Sequence, residues 1–153
     1  VRVTLLATLT AMVSAHTRLE FAKDVLGELG YPAGHNNLVV MVGWMQAEGS
    51  PCHNNPLDTT QPAPGSTDCN SVGVKNYATI GNGAAATANT LKQDQRGYAA
   101  IRSGLAADGS PSATGNAIAS SAWGTGHLAS ECINEAAGSE SVFNEWAAKS
   151  IAQ

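Results

Sequence analysis

Residues 38–49, with the sequence LVVMVGWMQAEG, are the most informative stretch of this chain. A largely apolar run ends at Glu48, and Gly49 and Pro51 follow almost at once. Because glycine and proline stop helices, the pattern predicts a buried helix with a carboxyl group at its C-terminal edge. The partial negative charge of that edge and an apolar surround both favour the protonated acid. We therefore expect Glu48 to keep its proton near neutral pH, as a general acid must, although a solvent-exposed glutamate is also common at a helix end.

The composition indicates one folded domain. The 153 residues suffice for a compact domain with a core and are too few for two comfortable ones, so we predict a single domain over residues 1–153. Only 13% of the residues are charged, which argues against a disordered tail or a coiled coil. The formal net charge is −4 and no basic patch is visible, so nucleic-acid binding has little support and no nucleic-acid partner is predicted.

Residues 1–15, VRVTLLATLTAMVSA, allow two interpretations. One arginine, an apolar stretch and small residues at the end are typical of a cleavable signal segment. The threonines dilute the apolar stretch, which favours an N-terminal helix that is retained. The stretch is too short for a transmembrane helix, so no membrane span is predicted.

Helical patterns occupy much of the remaining chain. Residues 17–29 place apolar side chains on one face, with a capping box at Thr17 and Glu20 and a stop at Gly30. The next helix is expected at about residues 38–47, capped by Asn36 or Asn37. Further helices are predicted at residues 81–91, 98–105, 112–121 and 139–152, with a turn at residues 123–127.

Residues 49–77 are rich in proline, glycine and asparagine and predict a long irregular segment, which is usually functional in a compact domain. Residues 70–77 alternate well enough for a short strand, giving at most a small hairpin. Cys52 and Cys69 flank this segment, so a disulfide between them and three unpaired thiols are both open. The expected fold class is mainly α (α+β): a helical domain with a small loop and β-hairpin lobe after the helix that ends in Glu48.

Several short motifs follow one another between residues 20 and 126. In chain order they are Phe21-Ala22 with LGELGYP (26–32), Asn37, WMQAEG (44–49), NPLDTT (55–60), NSVGVKNY (70–77), Gly83 with Ala86-Thr87 and Thr90-Leu91, Gly97-Tyr98 with Ile101 and Leu105, and SAWGT (121–125). Each motif is short, but their shared order resembles the lysozyme-like domains of actinobacteriophage tail, tape-measure and lysin proteins.

The resemblance implies a peptidoglycan hydrolase that cleaves the β-1,4 bond between N-acetylmuramic acid and N-acetylglucosamine. It implies a virion or extracellular setting at the bacterial cell wall, with peptidoglycan and other phage tail proteins as partners and no cofactor. Glu48 corresponds to the catalytic acid. The chain departs from the family pattern at Asp58, where asparagine is usual, and in the Cys52–Cys69 pair. The rival interpretation is a structural or glycan-binding tail module that keeps the fold and has lost turnover.

A second carboxylate would decide the mechanism. Asp58 and Asp68 both lie in the loop lobe, and Asp58 is the candidate second catalytic residue, while Asp68 fits turn chemistry. A gap of about 5 Å to Glu48 fits a retaining nucleophile, and about 6.5–9.5 Å fits inversion through water. If neither residue approaches Glu48, the sugar itself can supply the nucleophile, as in lytic transglycosylases.

The candidate substrate-binding residues are polar or aromatic members of the same lobe: Asn55, Thr59, Thr60, Asn70 and Tyr77. The alternative for the polar ones is loop stabilisation, and for Tyr77 it is packing of the hairpin onto the core. Trp44, one turn before Glu48, is expected to form the apolar wall beside the acid. The histidines and cysteines have no metal-site spacing, so no metal is predicted, and a Cys52–His53 nucleophile pair has little support.

Overall fold

The computed structural model describes residues 15–153, and over these residues the chain is mainly helical with one small antiparallel sheet. The predicted N-terminal helix or signal segment lies, except for Ala15, outside the described residues. None of the described helices is long and apolar enough to cross a membrane. The helices are α1 (Arg18–Leu29), α2 (His35–Glu48), α3 (Ile80–Leu91), α4 (Tyr98–Ala106), α5 (Pro111–Ala119), α6 (His127–Gly138) and α7 (Glu140–Ala147).

Helix α1 confirms the pattern seen in the sequence. The Thr17 hydroxyl accepts a hydrogen bond from the Glu20 amide, and the Glu20 carboxylate accepts one from the Thr17 amide, which completes the capping box. Gly30 ends the helix in the left-handed conformation, with φ 71°. Phe21, Ala22, Val25 and Leu26 form the buried face.

Helix α2 starts three residues earlier than predicted, and its N-cap is Gly34 instead of Asn36 or Asn37. The reason lies elsewhere in the chain. Asp108, in the turn after α4, accepts a hydrogen bond from the Asn37 amide at 2.8 Å and so caps the helix from outside. The Asn37 side chain donates to the Leu105 carbonyl at 2.6 Å. A Cβ atom at Gly34 would lie 2.1 Å from Asp108 Oδ2, so the cap requires glycine here.

Helix α2 forms the centre of the core and packs most extensively on α6. The two helices meet at Gly43, where a Cβ atom would lie 2.7 Å from the Ile133 Cα. The sequence patterns did not predict α6, because its buried face consists of Ala129, Ile133 and Ala136, while Leu128 is exposed. Small side chains give a weak apolar signal, yet they permit the close approach of the two helices.

The C-terminal helix is shorter than the predicted residues 139–152. Helix α7 ends at Ala147, with Phe143 and Trp146 buried as expected. Beyond it the chain returns to the start of α1, where the Ile151 amide donates to the His16 carbonyl at 2.9 Å. Ile151 is buried there, so it contributes to the core from an extended segment. Helices α3, α4 and α5 agree with their predictions to within two residues.

The segment between α2 and α3 is irregular, as predicted, with strands β1 (Thr67–Asp68) and β2 (Lys75–Asn76). Thr67 pairs with Asn76 and Asp68 with Lys75. The predicted strand at residues 70–77 is therefore reduced to its last part, and its first part is the turn of the hairpin. A disulfide joins Cys52 to Cys69 and ties the start of the segment to the hairpin. Cys132 is a free thiol.

Candidate active site

Glu48 is the last residue of α2 and is partly buried. Gly49 ends the helix in the left-handed conformation, with φ 56°, so the chain turns away directly after the acid. Trp44, one turn earlier on the helix, is fully buried. The carboxyl group therefore projects from the end of a core helix and lies against the rest of the structure instead of being free in solvent.

A hydroxyl group from a distant part of the chain holds the carboxyl group of Glu48. The Thr125 hydroxyl, in the turn before α6, donates a hydrogen bond to Glu48 Oε1 at 2.5 Å. The same hydroxyl oxygen accepts a hydrogen bond from Trp44 Nε1 at 3.0 Å. Trp44 thus acts on Glu48 through Thr125.

Asp58 forms the second carboxyl group of the site. It has a φ of 56°, a left-handed conformation that aspartate tolerates better than most residues. Its Oδ1 atom is buried and has no hydrogen-bond partner among the donors of the described residues. Asp58 nevertheless lies close enough to Glu48 to raise the pKa of the Glu48 carboxyl group. The two carboxyl groups are therefore neighbours.

These surroundings raise the pKa of Glu48 from 4.5 to about 7, the direction expected from the sequence. Burial is the largest cause, because it disfavours the charged form. The hydrogen bond from Thr125 lowers the pKa, and the charge of Asp58 raises it further. Glu48 is thus close to half protonated at neutral pH, which suits proton donation followed by proton acceptance.

A cleft of about 210 Å³ opens beside Asp58. It is lined by hydroxyl groups and aromatic rings: Asp58, Thr59, Thr60, Thr90, Tyr98, Ala122 and Trp123. The Trp123 indole is held by a hydrogen bond from its Nε1 to the Leu57 carbonyl at 2.9 Å, and it packs edge-on against Trp44 at a ring-centroid distance of 4.8 Å. The Trp123 ring is therefore a fixed wall of the cleft.

Of the predicted binding residues, Thr59 and Thr60 line the cleft. Thr60 is exposed there, whereas Thr59 is only 2% exposed and its hydroxyl is hydrogen-bonded to that of Thr90. The structure thus brings both threonines together with Asp58, and Thr60 has the side chain that is free to contact a ligand.

The structure contradicts a binding role for Asn55, and for Asn70 it favours the alternative of loop stabilisation. Asn55 is fully buried, and its side-chain nitrogen donates to the carbonyls of Thr59 and Lys75 at 2.9 and 2.7 Å. Asn70 lies in the hairpin turn, where its side-chain oxygen accepts from the Val72 and Val74 amides. Both asparagines replace backbone hydrogen bonds that the irregular segment lacks, so they brace the loop.

Tyr77 does not line the cleft either. It is 3% exposed, and its hydroxyl donates to the Gln61 carbonyl, which fastens the loop to the residues beside β2. Burial raises the pKa of Tyr77 to about 12. Tyr77 therefore packs the hairpin onto the core. Tyr98, at the start of α4, is the tyrosine that contributes to the cleft wall.

The remaining candidates for chemistry lie outside this site. Cys52 is in the disulfide and has no thiol to act as a nucleophile. Asp68 forms an ion pair with Lys75 on the exposed hairpin, as its turn position suggested. Within residues 15–153, no group of three histidine, cysteine or acidic side chains is arranged to hold a metal ion.

Sequence reasoning missed Thr125, Thr90 and Tyr98 as members of the site. Thr125 was noted only as part of the SAWGT motif, and no spacing rule connects it to Glu48, 77 residues away. The chain matched no family model, no curated protein and no solved structure. The chemical interpretation therefore depends on geometry: a carboxyl group with a pKa of about 7, a neighbouring carboxylate, and a hydroxyl-lined cleft with an indole wall.

Proposed function

We propose that this chain is a lysozyme-like domain that cleaves the β-1,4 bond between N-acetylmuramic acid and N-acetylglucosamine in bacterial peptidoglycan. The observation that supports this most strongly is Glu48, with a pKa of about 7, whose neighbour Asp58 lines a polar cleft with an aromatic wall. Proton donation to a glycosidic oxygen needs such an acid. The order of the elements supports the same proposal, since an acid-ended helix is followed by a loop and hairpin lobe and then by more helices.

In the proposed reaction, Glu48 donates its proton to the glycosidic oxygen as the bond to the anomeric carbon breaks. The departing sugar carries the proton away on its 4-hydroxyl group, and positive charge develops on the sugar ring that remains. Asp58 stands beside Glu48 and carries the negative charge that stabilises this ring. Thr60 is placed to hydrogen-bond the sugar, and the face of Trp123 to support its apolar side.

Two routes are open for the second half of the reaction: hydrolysis with a second carboxylate, and lytic transglycosylation, which needs one acid only. We favour the second, because Glu48 with a pKa of about 7 can both give and take a proton. Ionised Glu48 then takes the proton of the sugar's own 6-hydroxyl group, whose oxygen attacks the anomeric carbon and forms a 1,6-anhydro end.

The biological setting that fits this activity is a bacteriophage tail protein or lysin that opens the cell wall from a virion or from outside the cell. Peptidoglycan is then the substrate, and neighbouring tail proteins are the natural structural partners. Both the setting and the partners follow from the resemblance of the short motifs, and the site chemistry is compatible with them.

The test is release of muropeptides from purified insoluble peptidoglycan, followed by mass spectrometry of the soluble products. The wild-type chain and the Glu131→Gln control, changed at an exposed glutamate of α6, should release fragments with anhydro ends, and Glu48→Gln should not. Reducing ends without anhydro sugars would replace transglycosylation by hydrolysis. Release no faster than that of Glu48→Gln would reject catalysis, and co-sedimentation with peptidoglycan would then support the glycan-binding module.

A further inference from the structure

We propose that Thr125 is a positioning residue that makes Glu48 Oε1 the accepting oxygen and leaves Oε2 as the oxygen that carries the transferable proton. The inference deepens the proposed function and rests on it for its catalytic meaning. Its structural content, a fixed proton position on one carboxyl group, can be measured without any turnover. Nothing in the chain's motifs marks Thr125 for this role, because the contact is made only in the folded structure.

The direction of each hydrogen bond follows from the chemistry of the three groups. An indole N–H can only donate, so the 3.0 Å contact from Trp44 Nε1 uses the Thr125 oxygen as acceptor. The threonine hydroxyl has one proton left to give, and the contact at 2.5 Å directs it to Glu48 Oε1. Trp44 is fully buried, so its N–H keeps one of the two lone pairs of the Thr125 oxygen occupied, and we assign the hydroxyl proton to Glu48 Oε1 in both protonation states of the acid.

The relay has a consequence for the neutral form of Glu48. A protonated carboxyl group has one carbonyl oxygen, which accepts hydrogen bonds well, and one hydroxyl oxygen, which donates. With Thr125 donating to Oε1, the carbonyl oxygen is Oε1 and the proton is on Oε2. That proton is then available to Asp58 in the free protein and to a glycosidic oxygen when substrate is bound.

The charged groups around Glu48 are few in the described part of the chain. Asp58, from the loop after α2, is the carboxylate whose charge acts on Glu48. On the side of α6, His127 follows Thr125 by two residues, but it is exposed and faces Glu131 at 3.8 Å along its own helix. A change at Thr125 therefore alters the hydrogen bonding of Glu48 without removing a charge from its surroundings.

The first experiment reads the proton position directly. Infrared difference spectra of carboxyl-labelled protein, with Glu48→Gln as the blank, isolate the C=O stretch of protonated Glu48 below pH 6. Thr125→Val should raise this frequency, because the carbonyl oxygen loses its donor, and Thr125→Ser should restore it. An unchanged frequency in folded Thr125→Val would overturn the proposal. Thr125→Ala serves the same comparison if valine prevents folding.

The second experiment titrates Glu48 by carbon NMR of labelled glutamate. The Thr125 bond lowers the pKa of Glu48, so Thr125→Val should move the titration midpoint upward by about one pH unit, the size expected for a lost bond to a charged group. Thr125→Ser should titrate like the wild type. A midpoint that stays the same or falls would contradict the assigned direction of the bond.

The third experiment connects the relay to turnover on soluble glycan fragments. Thr125→Val should lower kcat about 10-fold, leave KM within twofold, and move the basic limb of the pH profile upward, while Thr125→Ser should recover most of kcat. An equal loss of kcat in both variants would reject positioning by the hydroxyl. If the wild type is inactive but the spectra behave as expected, the proposed function fails and the relay stands. If the wild type is active but the spectra do not change, the relay alone fails.

Discussion

Asp58→Asn removes the charge of the second carboxyl group and keeps its shape. The left-handed backbone at this position, with φ 56°, suits asparagine at least as well as aspartate, so the variant should fold normally. The side chain is partly buried against Glu48 and cannot turn freely into solvent. The substitution therefore isolates what the charge of Asp58 does to the pKa of Glu48.

The expected size of the effect is bounded from above by Coulomb's law. Two unit charges about 4 Å apart repel by about 4 kcal/mol at an effective dielectric constant near 20. Glu48 and Asp58 are only partly buried, and solvent screens most of this repulsion. If about 1.4 kcal/mol of the repulsion remains after screening, it shifts the pKa of Glu48 by one unit. Since the charge of Asp58 raises the pKa of Glu48, its loss should lower that pKa from about 7 by about one unit.

Carbon NMR titration of Glu48 measures this shift, and the basic limb of the kcat profile should move to lower pH by the same amount. The matched control is Asp68→Asn, which removes an equal charge from the exposed hairpin and should leave the Glu48 midpoint unchanged. An unchanged or raised midpoint in Asp58→Asn would refute the pairing of the two carboxyl groups. An equal shift in the control would show instead that the titration follows net charge.

Three further outcomes test the structure around the site. Because folding raises the pKa of Glu48, the stability that the protonated side chain contributes is complete below about pH 4.5 and is lost as pH rises through about 7. Glu48→Gln should therefore be about 1–2 kcal/mol more stable than the wild type at pH 8 and equally stable at pH 4. Thermal unfolding at each pH measures the difference. Reduction of the Cys52–Cys69 disulfide frees a loop with a sequence separation of 17 and should cost about 3 kcal/mol in denaturant unfolding, with no effect of reductant on the double serine variant. Asp108→Ala removes the cap of α2 and puts alanine at a φ of 46°, so it should cost about 2–3 kcal/mol, whereas Asp94→Ala, at an exposed position, should cost nothing measurable.

Local sequence patterns predicted those features that depend only on residues within the same helix. The capping box and glycine stop of α1 and the acid at the end of α2 needed only neighbours three or four residues apart. The start of α2 could not be predicted in this way, because its cap comes from Asp108, 71 residues along the chain from Asn37. Helix α6 was missed since alanines supply most of its buried face and carry little hydrophobic signal.

The residues of the candidate site also fall into those that local patterns predicted and those that they did not. Glu48 and its raised pKa were expected from the end of an apolar helix, and Asp58 from its departure in a short motif. The partner hydroxyl of Thr125 was not, because a turn between helices has no period that indicates where its side chains point. The prediction that Tyr77 lines the cleft was wrong for a related reason. An aromatic ring beside a hairpin can line a cleft or pack into the core, and Tyr77 is buried in the core.

The contact between Gly43 and Ile133 sets the spacing of α2 and α6, and this spacing affects the hydrogen bond between Thr125 and Glu48. Glu48 ends α2, and Thr125 stands in the turn that leads into α6, so the distance between their oxygen atoms depends on how closely these helices approach. With only 2.7 Å from a Cβ at position 43 to the Ile133 backbone, even one added methyl group would wedge the helices apart. A substitution at Gly43 is therefore a way to change the pKa of Glu48 without replacing any polar group of the site.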